Sequence, residues 1–334
     1  MVMPTGLTEK TSWRKIELRK NLPVVLKLEG GLGNQLFQFA AGFYLAAKLS
    51  KNLELDQFAI PLTTVHGETK NGFESFQLPL LPSPNKIKFL KTIPSKFMVK
   101  IATQNELVKK ILIKSRMYSS NRHNLDLFLE TNEEKATTDF FEISSPKKLH
   151  GNFQSWKIVE NAAQLGFPRI FKLQDLPQWI TELESKIDFK NSIVLHFRVG
   201  DDTRTNLNFK QPEIVYYLNA LNILKSKMKV TSTYILSDDI QRVKNLFGDV
   251  LGTEMHYLEM PKLSSPAERL YVLSQFGGIA CANSTFCGWA AWSISNSGGN
   301  VVVPVPYSDG PVLGSRDFPS NWIQLNKYSG EISA

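Results

Sequence analysis

Three short polar clusters in the chain carry residue types that could handle an anionic substrate. The first, His196, Arg198, Asp201 and Asp202, follows the apolar run Ile193-Val194-Leu195. The second is Ser237-Asp238-Asp239 and the third Asn283-Ser284-Thr285, each also preceded by an apolar run. An arginine is always charged and its planar fork holds two oxygens at once, which suits a phosphate. Serine and threonine hydroxyls and helix-opening amides donate to the remaining oxygens. Asp238 or Asp239 can accept from a nucleobase amino group or a ribose hydroxyl, and His196 can contact base or phosphate. A plainer reading gives Arg198 an ion pair with Asp201 or Asp202, and His196 a place in the core.

Those clusters need elements to bring them together. After Asn191 the pattern is regular, with strands at 193–198, 231–236, 255–260, 278–282 and 300–305. Helical stretches at 213–229, 240–247, 266–276 and 286–294 alternate with them. This alternation predicts a parallel, doubly wound α/β sheet. All three clusters fall at strand C-termini, and these share one edge in a parallel sheet, where ligands bind. Adjacent carboxylates on an extended segment point to opposite faces, so neither aspartate pair is arranged to chelate one metal ion.

A second Gly-rich unit opens the chain. The strand Val24–Leu28 enters Glu29-Gly30-Gly31-Leu32-Gly33-Asn34-Gln35, and a helix with apolar residues at helical spacing runs on to Leu49. Gly31, Gly33, Asn34 and Gln35 can present backbone and side-chain amides to an anion. A dinucleotide fingerprint is a rival reading, with Asp56 about 20 residues downstream as ribose acceptor, but its third glycine position is Leu36. Later, His150-Gly151-Asn152-Phe153-Gln154-Ser155-Trp156 mixes aromatic and amide side chains, a combination that suits a sugar. Phe153, Gln154 and Trp156 are its acceptor-side candidates.

Bulk properties narrow the class. With 334 residues the chain has length for two domains. The divisions expected are a basic tail at 1–22, a first lobe at 23–175 and a second at 176–334. Lys+Arg exceed Asp+Glu by 39 to 31, which favours an anionic ligand or surface. No nucleic-acid-binding motif accompanies the charge, so nucleic acid is not expected as a partner. Cys281 and Cys287 are too few for a disulfide framework and lie near no zinc-type histidine spacing, so a reducing compartment is expected. The tail lacks the apolar core of a secretory signal, and no run of about 18 uncharged apolar residues occurs. A cytoplasmic protein is expected. Lysines crowd residues 86–116, with Glu106 the one acid there. Such a run is either a solvated helix face or a peripheral contact with anionic lipid at the inner membrane surface.

The motifs together resemble the α-1,2-fucosyltransferases of glycosyltransferase family 11. Gly30 to Gln38 reads Gly-Gly-Leu-Gly-Asn-Gln-Leu-Phe-Gln, as the family begins. His196-Phe197-Arg198-Val199-Gly200-Asp201 matches its His-x-Arg-Arg-Gly-Asp except at Val199. Ser237-Asp238-Asp239 and the run Ala282-Asn283-Ser284-Thr285-Phe286 through Trp292 follow in family order, with Gly288 where the family has its first Trp after that run. The resemblance implies a GT-B-like fold of two Rossmann-type lobes facing a cleft. It also implies GDP-fucose as donor, a galactoside acceptor, inversion to an α-1,2 linkage, and no cofactor or obligatory metal. On it, donor-binding falls to His196, Arg198, Asp238, Asp239, Asn283, Ser284, Thr285 and Phe286, with Asp201 and Asp202 as candidate bases. Gly288 would open space beside the sugar. The rivals are a non-catalytic nucleotide-sugar-binding protein and the dinucleotide-dependent enzyme.

Overall fold

The computed structural model describes residues 22–63, 72–90, 94–119, 125–130, 133–200, 210–309 and 317–333. Within them the chain forms two parallel sheets, one after the other. The first contains β1 (Val24–Lys27), β2 (Leu53–Asp56), β3 (Ile87–Leu90), β4 (Leu127–Leu129) and β5 (Lys148–His150), in the order β3-β2-β1-β5-β4. Its principal helices are α1 (Leu32–Leu49), α2 (Lys96–Gln104), α3 (Glu106–Ser119) and α4 (Trp156–Gln164).

The second sheet contains β6 (Ser192–Phe197), β7 (Ser232–Ser237), β8 (Met255–Tyr257), β9 (Gly278–Ala280), β10 (Asn300–Val305) and β11 (Ile323–Asn326). Their order is β11-β10-β9-β6-β7-β8. The helices α5 (Ile214–Lys227), α6 (Ile240–Leu251), α7 (Pro266–Leu273) and α8 (Thr285–Asn296) connect the strands. Every pairing among these strands is parallel, and most of the connections between them are helical crossovers rather than hairpins. This is the doubly wound parallel arrangement expected from the strand–helix alternation, present in two successive sheets.

The differences are local. The expected irregular stretches at 79–116 and 119–146 contain β3, β4 and helical segments. β3 and β4 are only four and three residues long, and they lie at the two edges of their sheet. So short a run carries too few residues to show a period.

The lobes share one apolar core. α1 is buried along most of its length, and Phe37 lies 4.9 Å from Trp156 and 4.8 Å from Trp289, ring centre to ring centre. Trp156 of α4 also packs on Trp292 and Trp322, so aromatic side chains from both halves close one layer. A fully buried aromatic contributes several times what a methylene does, and this layer is built from such residues.

Candidate functional site

The register of the second sheet fixes where the polar clusters meet. Phe197 pairs with Ser237 on one side of β6, and Leu195 with Ala280 on the other. One residue further on, Arg198 lies level with Asp238; three residues past Leu195 and Ala280, it lies level with Asn283. The three clusters therefore sit side by side at one sheet edge.

Side-chain alternation sorts them by face. Phe197 stacks on Tyr217 of α5 at 3.9 Å between ring centres. His196 points the other way, 6.3 Å from Phe286 in the first turn of α8. Arg198, two residues on, shares the face of His196, toward the start of α8. It is half-buried and makes no hydrogen bond or ion pair within the described residues. Such a guanidinium is already partly desolvated and uncommitted, which favours an anion arriving there.

The turn that carries Arg198 is held by Asp238. Its Oδ1 accepts the Val199 amide at 2.8 Å and the Gly200 amide at 3.1 Å, and its Oδ2 lies 3.1 Å from the same Gly200 nitrogen. A Cβ at position 200 would collide with Oδ2, so a larger residue would push the Asp238 carboxylate off these two amides. Asp239 caps α6 by accepting the Arg242 amide at 2.9 Å. Both carboxylates are thus engaged by backbone. Asp201 and Asp202 lie outside the described residues.

The Asn-Ser-Thr corner is also largely committed. Asn283 donates its amide hydrogens to the carbonyls of Lys210, at 2.9 Å, and Tyr307. Thr285 donates its hydroxyl to Oδ1 of Asn34 in the other lobe at 3.1 Å. Ser284 is the N-cap residue of α8, yet its side chain makes no capping bond. The first-turn amides of α8 have no partner within the helix, as at any helix start. His196, 5% exposed, leaves Nδ1 without a hydrogen-bond partner among the described residues.

Against this corner lies the Gly-rich loop of the first lobe. A Cβ on Gly33 would stand 2.5 Å from Oγ1 of Thr285 and 2.6 Å from the Phe286 nitrogen. The Trp289 indole donates to the Gly33 carbonyl at 2.9 Å, and Gln154 donates to Asn34 at 2.9 Å. Gly33 is therefore a close-approach glycine at the seam. Gly31, the N-cap of α1, has open space where a Cβ would go. Gln35 is fully buried, donating to the Gly30 carbonyl and accepting the Gly72 amide, so its side chain holds the loop and is not free for a ligand.

Burial corrects two expectations and removes one rival reading. Phe153 and Trp156 are each 1% exposed, and a ring enclosed on both faces has none to offer a sugar. Phe153 takes a left-handed backbone, φ 51°, with its amide bound by Glu130. The space opened at Gly288 is filled by the Trp156 ring, 3.0 Å from where its Cβ would be. Asp56 is 2% exposed and accepts the Phe58 amide, and Leu36 is in the core, so the ribose contact of the dinucleotide reading has no accessible carboxylate.

Sequence reasoning passed over two ionic clusters. At the C-terminal edge of the first sheet, the Lys27 ammonium lies 2.8 Å from Glu29 and 2.8 Å from Nε2 of His150. Glu29 Oε1 is 3.5 Å from that nitrogen. Burial raises the Glu29 pKa, but the hydrogen bonds and charges of His150 and Lys27 outweigh it and bring it down to about 2. Burial also pulls Lys27 below the usual lysine range. The visible signal was a lysine inside the apolar run Val24–Leu28. In the second lobe, the fully buried Lys327 bonds Asp309 at 2.6 Å and the Lys210 carbonyl, tying Asn283's partner to the last strand. Both cysteines are buried free thiols, and the Cys281 pKa is driven up by burial.

No family model matches the chain. Over 310 residues it is 24% identical to an alpha-1,2-colitosyltransferase of Escherichia coli, covering 91% of this chain and 99% of that one. An O-antigen biosynthesis glycosyltransferase, WbnK, of the same organism is 22% identical over 89% of this chain and 99% of its own length. Among solved structures, the fucosyltransferase NodZ from Bradyrhizobium gives a TM-score of 0.46 at 14% identity, over 81% of this chain and 93% of that one. Along nine-tenths of its length, then, the sequence is similar to glycosyltransferases.

Proposed function

We propose that this chain is an inverting glycosyltransferase that moves L-fucose from GDP-fucose to the 2-hydroxyl of a galactose-type acceptor. The observation that carries this reading is Arg198. It is uncommitted, level with the Asp238 and Asn283 strand ends, and on the face toward the first turn of α8. As the sugar–phosphate bond breaks, negative charge gathers on the departing β-phosphate. Arg198 and the Ser284 hydroxyl would stabilise it; such preorganised electrostatics is usually the largest catalytic contribution. These groups supply positive charge without calling on a metal. Thr285 and Asn34 would fix the Gly-rich loop across the donor.

The similarity to an alpha-1,2-colitosyltransferase favours a second donor reading, a colitose donor with the same α-1,2 linkage. Incubation with GDP-fucose or GDP-colitose and a panel of terminal galactosides, followed by linkage mapping of the product, tests both. Consumption of neither donor, with GDP still bound, would instead point to a binding protein.

The setting we propose is the inner membrane surface. The outward face of α3 carries Leu107, Lys110, Ile111 and Lys114 at helical spacing, and α2 exposes Lys96, Phe97 and Lys100. Apolar anchors between lysines suit anionic headgroups. Among the described residues no helix is long and apolar enough to cross a membrane.

A further inference from the structure

The glycosyl-transfer reading leaves the acceptor hydroxyl needing a group to take its proton. Asp201 and Asp202 are candidates by sequence position. A carboxylate in a built setting stands on the opposite lobe. Glu29 lies two residues past the end of β1, at the C-terminal edge of the first sheet, the edge where α/β sheets bind ligands. It stands four positions before Gly33, so at most roughly 14 Å of chain lies between it and the seam with Thr285. That limit keeps Glu29 within reach of a sugar and phosphate bound at the seam. The turn between them is fixed, with the Gly30 amide donating to Thr63 and the Glu29 amide to Gln38.

The side chain is equally fixed. Oε2 takes the Lys27 ammonium at 2.8 Å, while Oε1 makes a longer, weaker contact with His150 at 3.5 Å. One oxygen is therefore anchored and the other is less committed, on a residue that is 22% exposed at its side chain. The charged groups facing it are Lys27 from β1 and His150 from β5. Asp56, at the end of β2, faces Lys27, and Glu130, beyond β4, is turned to the amides of Asn152 and Phe153.

Resting on that reading, we propose that Glu29 is the proton acceptor of the transfer step, with Lys27 and His150 as its positioning residues. The acceptor oxygen bonds to the anomeric carbon as the carbon–oxygen bond to the β-phosphate breaks. The bonding pair leaves on GDP, and the hydroxyl proton passes to Oε1 of Glu29 and then to solvent. An oxygen forming that bond becomes oxonium-like, and acidic enough for a strongly stabilised carboxylate to take its proton.

The test uses the full chain with GDP-fucose and methyl β-D-galactopyranoside, following transfer and, separately, GDP affinity by calorimetry. Glu29→Gln should lower kcat by about 100-fold or more while GDP binds as in the wild type. Lys27→Met in the same chain removes the buried cation that this change strands, and should restore folding without restoring transfer. His150→Gln should move the acid limb of the kcat/KM profile to higher pH, since Glu29 loses a partner of its charged form. Near-normal transfer by Glu29→Gln, or an unmoved acid limb in His150→Gln, overturns the assignment. A wild-type chain that neither binds GDP nor consumes GDP-fucose overturns the transfer reading itself and this proposal with it.

Discussion

Gly33 and Thr285 meet across the lobe boundary with no room for a methyl group between them. The contact joins the start of α1 to the start of α8, and the Asn34–Thr285 and Trp289–Gly33 hydrogen bonds flank it. The separation of the lobes is thus set at the place where the Gly-rich loop and the donor corner face each other. Gly33→Ala should force that contact apart. We expect a loss of about 1–3 kcal/mol in unfolding free energy by denaturant titration, typical of overpacking. The same variant should lose transfer more severely than stability. Unchanged stability and turnover would mean that the lobes do not meet in this way.

Asp238 is expected to act through the backbone. Its carboxylate holds the amides of Val199 and Gly200, which set the path of the chain beyond Arg198. In Asp238→Asn the charge is lost and one amide bond is replaced by a donor facing a donor. A hydrogen bond to a charged group is worth about 1.5–3 kcal/mol, so kcat/KM for the donor should fall by roughly 10- to 100-fold. Turnover with unaltered kcat/KM would remove Asp238 from the positioning of Arg198.

The Glu29 carboxylate gives the stability a defined acid response. Its folded pKa of about 2 lies below the unfolded value. The stabilisation is therefore complete above about pH 5 and is lost as pH falls through the range toward 2. Its size is on the order of 3 kcal/mol, partly offset by Lys27, whose burial disfavours its ammonium. Glu29→Gln should flatten this part of a melting-temperature profile between pH 5 and pH 2. A profile with the wild-type slope would show that Glu29 is not held by Lys27 and His150.

Vesicle sedimentation addresses the lysine face of α2 and α3. Binding to vesicles of phosphatidylglycerol and phosphatidylcholine should weaken with salt, and vesicles of phosphatidylcholine alone should leave the chain in the supernatant. Each lysine near such a surface contributes about 1 kcal/mol. Lys110→Ala with Lys114→Ala should therefore weaken binding by roughly 30-fold. Binding indifferent to lipid charge would discard this surface.

The sequence made the frame legible where runs were long and apolar. Val24–Leu28, the helix after Gly31 and the run ending in His196 and Arg198 announce themselves by burial period alone. β3 and β4 do not, since Lys88 interrupts the first and only three residues form the second. At the site, Arg198 and the strand-end clusters were readable because parallel sheets gather their C-termini on one edge. What Gly33 is for was not readable: the neighbouring Asn34 meets Thr285 across 251 positions, and only the folded chain shows what crowds it. Burial was equally hidden. Trp156 and Phe153 read as exposed sugar platforms, and the packing of two lobes on one aromatic layer encloses them.

The central role given to Arg198 is tested most directly by comparing Arg198→Ala with the wild type in single-turnover transfer from GDP-fucose, with GDP affinity measured on the same preparations. Loss of one preorganised donor to developing charge costs about 100- to 1000-fold in kcat. At least that loss is expected here, together with weaker GDP binding and an unchanged melting temperature. A variant that binds GDP and transfers sugar at near wild-type rates would contradict the phosphate role.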